Sequence, residues 1–202
     1  MPSVIERAST GRAKCRACGQ AIARGDERFG DALPNSYGDG EALFWFHLPC
    51  AAHARPDTFL PALEQSSVSA RERAPLEALA KAGIAQGRLC RILRAERASS
   101  GRARCRHCRE LIEQGAWRLS LQIFEEGRFS PIGTIHATCA VGYFGTEPAA
   151  ERLTLPSNQL APSELVEVVS AMRDGAARSI QLKGLAKAGP EEPEAESSRK
   201  TS

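Results

Sequence analysis

Apolar and polar positions alternate most clearly in the middle of the chain. Trp117, Leu119, Leu121 and Ile123 alternate with Arg118, Ser120 and Gln122, the period of a half-buried strand. Glu125-Glu126-Gly127 reads as a turn, after which Arg128–Ile135 pairs back. An earlier stretch has the same layout: Arg28–Leu33, a Pro-Asn-Ser-Tyr-Gly-Asp-Gly loop, then Ala42–Phe46. Downstream of each hairpin the period becomes helical. Ser69-Ala70-Arg71-Glu72 is a capping-box pattern, Leu76 and Leu79 form an apolar stripe, and Gly83 is the expected stop. Ser163 is placed to cap a helix carrying Leu165, Val168, Val169 and Met172, with Gly175 as its stop.

The two halves are copies. Glu6–Cys18 reads ERASTGRAKCRAC and Glu96–Cys108 reads ERASSGRARCRHC, identical at ten of thirteen positions without a gap. Tandem duplication accounts for this. The boundary falls near Gly87, giving units at 1–87 and 88–184. The second unit opens with a basic linker, Arg88–Glu96. From 185 to 202 the chain is rich in Pro, Glu and Ser, a composition expected to be disordered and open to a protein partner.

The copies also share a ligand pattern. Cys15-x2-Cys18 is followed after 28 residues by His47-x2-Cys50, and Cys105-x2-Cys108 after 27 residues by His136-x2-Cys139. Aromatic residues make up only 5% of the 202 residues, and small domains with so little to bury need a staple. The N-terminal stretch lacks the apolar core of a signal peptide, and no apolar run reaches the length of a membrane span. The expected location is therefore intracellular, away from the membrane: cytoplasm or nucleoid in a bacterium, nucleus in a eukaryote. Thiols stay reduced there, so clustered cysteines read as metal ligands before disulfides. Three thiolates and one imidazole, arriving as two short turns, suit a closed tetrahedral zinc site. Iron–sulfur ligation lacks its fourth cysteine. The expectation is two structural Zn2+ ions in a small α+β chain of two tandem zinc-stabilised modules. Each module is a short antiparallel sheet, a Cys3His site and a C-terminal helix. His53 and His107 are expected on the surface, and Cys90 as a partly buried apolar residue in the linker.

The 27- and 28-residue spacing is too long for a ββα finger. Instead each unit resembles the zinc finger of poly(ADP-ribose) polymerases, also found in a nick-sealing DNA ligase. The resemblance rests on Thr10-Gly11-Arg12-Ala13-Lys14-Cys15, on Ser100-Gly101-Arg102-Ala103-Arg104-Cys105, on the ligand spacing and on the Trp45-Phe46-His47 aromatic pair. Unit two has Thr134-Ile135 where that pair would stand. The resemblance implies recognition of DNA strand breaks or nicks. Arg12, Lys14, Arg102 and Arg104 would contact the backbone beside the first knuckle, with Arg28 and Arg118 in a similar part. Tyr37, Leu43, Phe129 and Ile132 are the candidates for stacking on exposed bases.

Net charge is only +3, but its distribution fits such a partner. Arg7, Arg12, Lys14, Arg16, Arg97, Arg102, Arg104, Arg106 and Arg109 gather at the knuckles, with Glu6 and Glu96 the only acids among them. The alternation on the second hairpin predicts that Arg118 is exposed. The sequence shows no nucleotide-binding glycine loop, no catalytic constellation and no deaminase pattern, so no enzymatic activity is expected. Two alternatives use the same residues: a protein-interaction module anchored by the aromatics, and an RNA-binding protein stacking unpaired bases.

Overall fold

A computed structural model describes residues 2–35, 38–125, 127–147, 152–155 and 158–187, with side chains as far as 176. Tyr37 and the tail from 188 onward lie outside the described residues. The fold is small α+β. β1 (Val4–Arg7), β2 (Glu27–Pro34) and β3 (Glu41–His47) form one antiparallel sheet. Three helices follow: α1 (Leu48–Ala54), α2 (Pro56–Glu64) and α3 (Ala70–Ala85). β4 (Ile92–Arg97), β5 (Trp117–Glu125) and β6 (Arg128–His136) repeat the sheet in the same order, followed by α4 (Ala140–Phe144) and α5 (Pro162–Lys187). Among the described residues no helix is long and apolar enough to cross a membrane.

The elements form where local chemistry favours them. Ser69 caps α3 by accepting from the Glu72 backbone N–H, and its hydroxyl donates to the Glu72 carboxylate at 2.5 Å. In α5, Pro162 takes the first helical position, where a missing N–H costs nothing. Glu164 accepts the Ala161 N–H, while Ser163 stands exposed within the first turn. Val168, Met172 and Ala176 form the buried stripe of α5, with Leu165 and Val169 at its edges.

Several expectations are corrected. The alternation on β5 breaks at a register shift between Leu121 and Gln122, so Gln122 is buried and Ile123 half-buried. The stretch read as a linker is folded. Gly87–Arg91 is a 3-10 turn and Ile92–Arg97 is β4, the edge strand of the second sheet. Neither glycine read as a helix stop ends its helix. Gly83 lies inside α3, where a Cβ would sit 3.0 Å from the Cys90 sulfur. Gly175 lies inside α5, where a Cβ would sit 1.8 Å from the Thr138 carbonyl oxygen. In both places glycine permits close approach of a neighbouring chain segment. The Gly175 contact presses α5 against the turn between His136 and Cys139.

His53 is also corrected. It is 4% exposed rather than on the helix surface. Its Nε2–H donates to the Ile92 carbonyl at 2.8 Å, and Arg152 Nη1 donates to its Nδ1 at 2.6 Å. Arg152 Nη2 also donates to the Leu79 carbonyl, at 2.8 Å. The two cores are thus joined. One gathers Ile22, Phe29, Phe46, Phe59 and Leu63; the other gathers Ile92, Leu119, Leu121, Ile135 and Val168. Phe124 and Phe129 of the β5–β6 hairpin pack onto the first core, and Ala82 of α3 packs onto the second.

Two measurements check this packing. Gly175→Ala should lower the unfolding free energy by about 1–3 kcal/mol, the usual cost of overpacking, whereas Gly87→Ala, with open space around the new Cβ, should be nearly neutral in thermal unfolding. Burial, aided by the Arg152 charge, pushes the His53 pKa down to about 3, against a weaker opposing pull from the Ile92 carbonyl. Neutral His53 is therefore the folded form. Its contribution is complete above pH 6.5 and is lost as pH falls toward 3, by up to about 1.4 kcal/mol per pH unit. Denaturant titrations between pH 6.5 and 5 should show a shallower pH slope for His53→Gln than for the unsubstituted chain.

Candidate metal centres

Each centre is assembled from two turns of different construction. The first is a knuckle. Cys15 N–H donates to the Gln20 carbonyl and Gly19 N–H to the Cys15 carbonyl, both at 2.8 Å. In the second copy Cys105 N–H donates to Glu110 at 2.8 Å and Arg109 N–H to Cys105 at 2.9 Å. The reversal needs a left-handed residue. Gly19 supplies it at φ 74°, and the second copy uses Arg109 at φ 71°. Each knuckle hangs from the strand that carries the histidine: Arg16 N–H donates to Trp45, and Arg106 N–H to Thr134, both at 2.9 Å.

The second turn lies where strand becomes helix. His47 ends β3 and caps α1, so Cys50 falls in the first turn of that helix. His136 ends β6 and caps the 3-10 turn Ala137–Cys139 that leads into α4. The extended-to-helical switch turns both ligands toward the knuckle.

The eight predicted ligands converge as two sets: Cys15, Cys18, His47 and Cys50, and Cys105, Cys108, His136 and Cys139. Within each set the ligand atoms lie within 4.8 Å of one another. Zinc bonds of ordinary length at the tetrahedral angle require an S···N edge of about 3.6 Å. Cys18 Sγ and His47 Nδ1 are 3.4 Å apart, as are Cys108 Sγ and His136 Nδ1, and Cys139 Sγ is 3.8 Å from His136 Nδ1. The opposite ring nitrogens are occupied. His47 Nε2 donates to the Ala21 carbonyl at 3.3 Å and His136 Nε2 to the Leu111 carbonyl at 3.1 Å. This leaves Nδ1 as the unprotonated ligand in both copies. No side-chain signal marks Ala21 or Leu111 for this part, because the backbone carbonyl performs it.

One sulfur of each site is favoured as a thiolate, while its neighbours push Cys18 and Cys50, and burial pushes Cys139, toward the neutral thiol. Side-chain hydrogen bonds from Cys18 and then Cys50 hold the Cys15 thiol well below its ordinary value. Burial pushes Cys105 up, but backbone hydrogen bonds from Cys108, His136 and His107 outweigh it and bring its pKa down to about 7. All the cysteines are free thiols. The donor set, spacing and tautomers are those of two closed structural zinc sites.

The basic residues divide into two groups. Arg12, Lys14, Arg16, Arg102, Arg104, Arg106 and Arg109 are exposed on the knuckles. Arg28 and Arg118 sit inward. Arg28 is 8% exposed, its Nη2 lies 2.6 Å from Glu6, and its guanidinium covers the Trp45 ring at 3.5 Å. Arg118 makes the equivalent pair with Glu96 at 2.9 Å, its side chain 17% exposed, which corrects the expected exposure. Phe129 meets Phe46 edge-on at 6.4 Å, and Ile132 packs against the second core. Leu43 is half-buried on β3. His107 is exposed, with its ring edge-on to Tyr143, and Cys90 is partly buried.

These features define a zinc-stabilised protein of two tandem modules. The chain matches no known protein-family model.

Native mass spectrometry should find two zinc ions per chain. A left-handed non-glycine residue costs about 1–2 kcal/mol. Arg109→Gly should therefore raise the unfolding free energy of the zinc-saturated protein by about 1 kcal/mol, as read by chemical denaturation.

Proposed function

We propose that the chain is a non-catalytic DNA-binding protein that recognises strand breaks or nicks. One observation carries the reading: the same knuckle, present twice, displays exposed cations, Arg12, Lys14 and Arg16 in one copy and Arg102, Arg104, Arg106 and Arg109 in the other. The entry-strand glutamates are paired, Glu6 with Arg28 and Glu96 with Arg118, while Glu110 is an exposed acid on the second knuckle. Arg12, Lys14, Arg102 and Arg104 are exposed and suited to phosphate contacts. The resemblance to break-sensing fingers in ligand spacing and knuckle sequence points the same way. A closed metal centre offers no position for water or substrate, which supports a role without catalysis.

Phe129 and Ile132 are engaged in packing, Leu43 is half-buried within β3, and the exposed tip at 38–41 carries Asp39 and Glu41. The contacts to a broken or nicked duplex that the surface favours are therefore those of the knuckle cations to phosphate.

Binding titrations across salt should show tighter association with nicked than with intact duplex of the same sequence. Arg12→Ala and Arg102→Ala should each weaken both and reduce the log–log salt slope by about 0.9. Equal affinity for the two duplexes would remove break recognition. No association at low salt would remove the DNA-binding reading altogether.

A further inference from the structure

The second module touches the first on both elements that carry His47 and Cys50. Phe46 directly precedes His47, and Phe129 of the β5–β6 hairpin packs edge-on against its ring. Phe124 packs against Phe129 at 4.8 Å with the rings tilted by 59°, and lies under the Arg55 guanidinium at 4.3 Å. Arg55 is itself fixed by buried Asp31 at 2.6 Å. On the other side, Cys50 and His53 share α1. His53 is held between the Ile92 carbonyl, at the start of β4, and Arg152. Arg152 is 1% exposed and reaches across to the Leu79 carbonyl of α3.

The converse dependence runs through site two. Ile135, directly before His136, is fully buried in the second core together with Cys105 and Leu119. Site two therefore fixes the end of β6, whose start carries Phe129. Module two needs its own metal to hold that hairpin, and the hairpin and His53 contacts set the turn that presents His47 and Cys50.

We propose that the two zinc sites are thermodynamically linked: metal at site two raises the affinity of site one, through the Phe124–Phe129 hairpin and the His53–Arg152 contact. Linkage is reciprocal, so metal at site one raises the affinity of site two by the same factor. This does not depend on what the protein binds.

The test is zinc release from the full chain into a competing chromophoric chelator, with native mass spectrometry of the intermediates. The unsubstituted protein should lose both ions together, with little one-zinc species. Phe124→Ala with Phe129→Ala keeps all eight ligands and should separate release into two steps, with the one-zinc form abundant. Cys105→Ser with Cys108→Ser, which disables site two, should weaken zinc at site one by about tenfold or more, within the usual range of coupling between sites. If the doubly substituted cysteine variant fails to fold, the phenylalanine variant, alone and with His53→Gln added, decides. An abundant one-zinc species from the unsubstituted protein, or joint release that persists when His53→Gln is added to the phenylalanine variant, would overturn the proposal.

Discussion

Three sulfurs and one ring nitrogen, brought within a few ångströms of each other, repel until a cation sits between them. That constraint shapes each module. The knuckle exists to place two sulfurs on one side, and the strand-to-helix junction to place a nitrogen and a sulfur on the other. The knuckle has little apolar surface to hold itself: Cys15 and Cys105 are buried, but the residues around them are mostly exposed, whereas Cys50 is buried on α1. The sheets and helices supply a scaffold, and the ion joins a loop otherwise too polar to fold.

The ligands were legible because they occur twice in one order, and duplication turns a suggestive spacing into a pattern. The β2–β3 and β5–β6 hairpins, the α3 cap at Ser69 and the α5 stripe were also visible, since local chemistry decides them. What escaped was tertiary. His53 looks like any polar residue on a short helix until Ile92 and Arg152 arrive from the other copy. Gly83 and Gly175 look like terminators because sequence cannot show the Cys90 side chain pressing on one helix and the Thr138 backbone pressing on the other. Arg28 and Arg118 share the charge of the exposed knuckle arginines, and only the cross-strand register opposite Glu6 and Glu96 separates them. Phe129 looks in sequence like a base-stacking aromatic because its partner, Phe46, belongs to the other module.

The two copies have drifted apart in a way that follows from being joined. Copy one keeps Gly19 where the knuckle turns and an aromatic pair before its histidine. Copy two tolerates a left-handed Arg109 and has Thr134-Ile135. Its hairpin has become part of its neighbour's core, so its aromatic residues serve packing. A surface shared between modules restricts both, whereas a free hairpin tip can change with its partner.

The hairpin contact also bears on synthesis. The first module's ligands leave the ribosome well before Phe129, and Arg152 follows later still. At about 5–20 residues per second, the N-terminal cysteines spend several seconds without the chain segments that brace them. During that interval the thiolates are open to the wrong metal or to oxidation. Under the proposed linkage, the first centre gains its full zinc affinity only after the second module has been made.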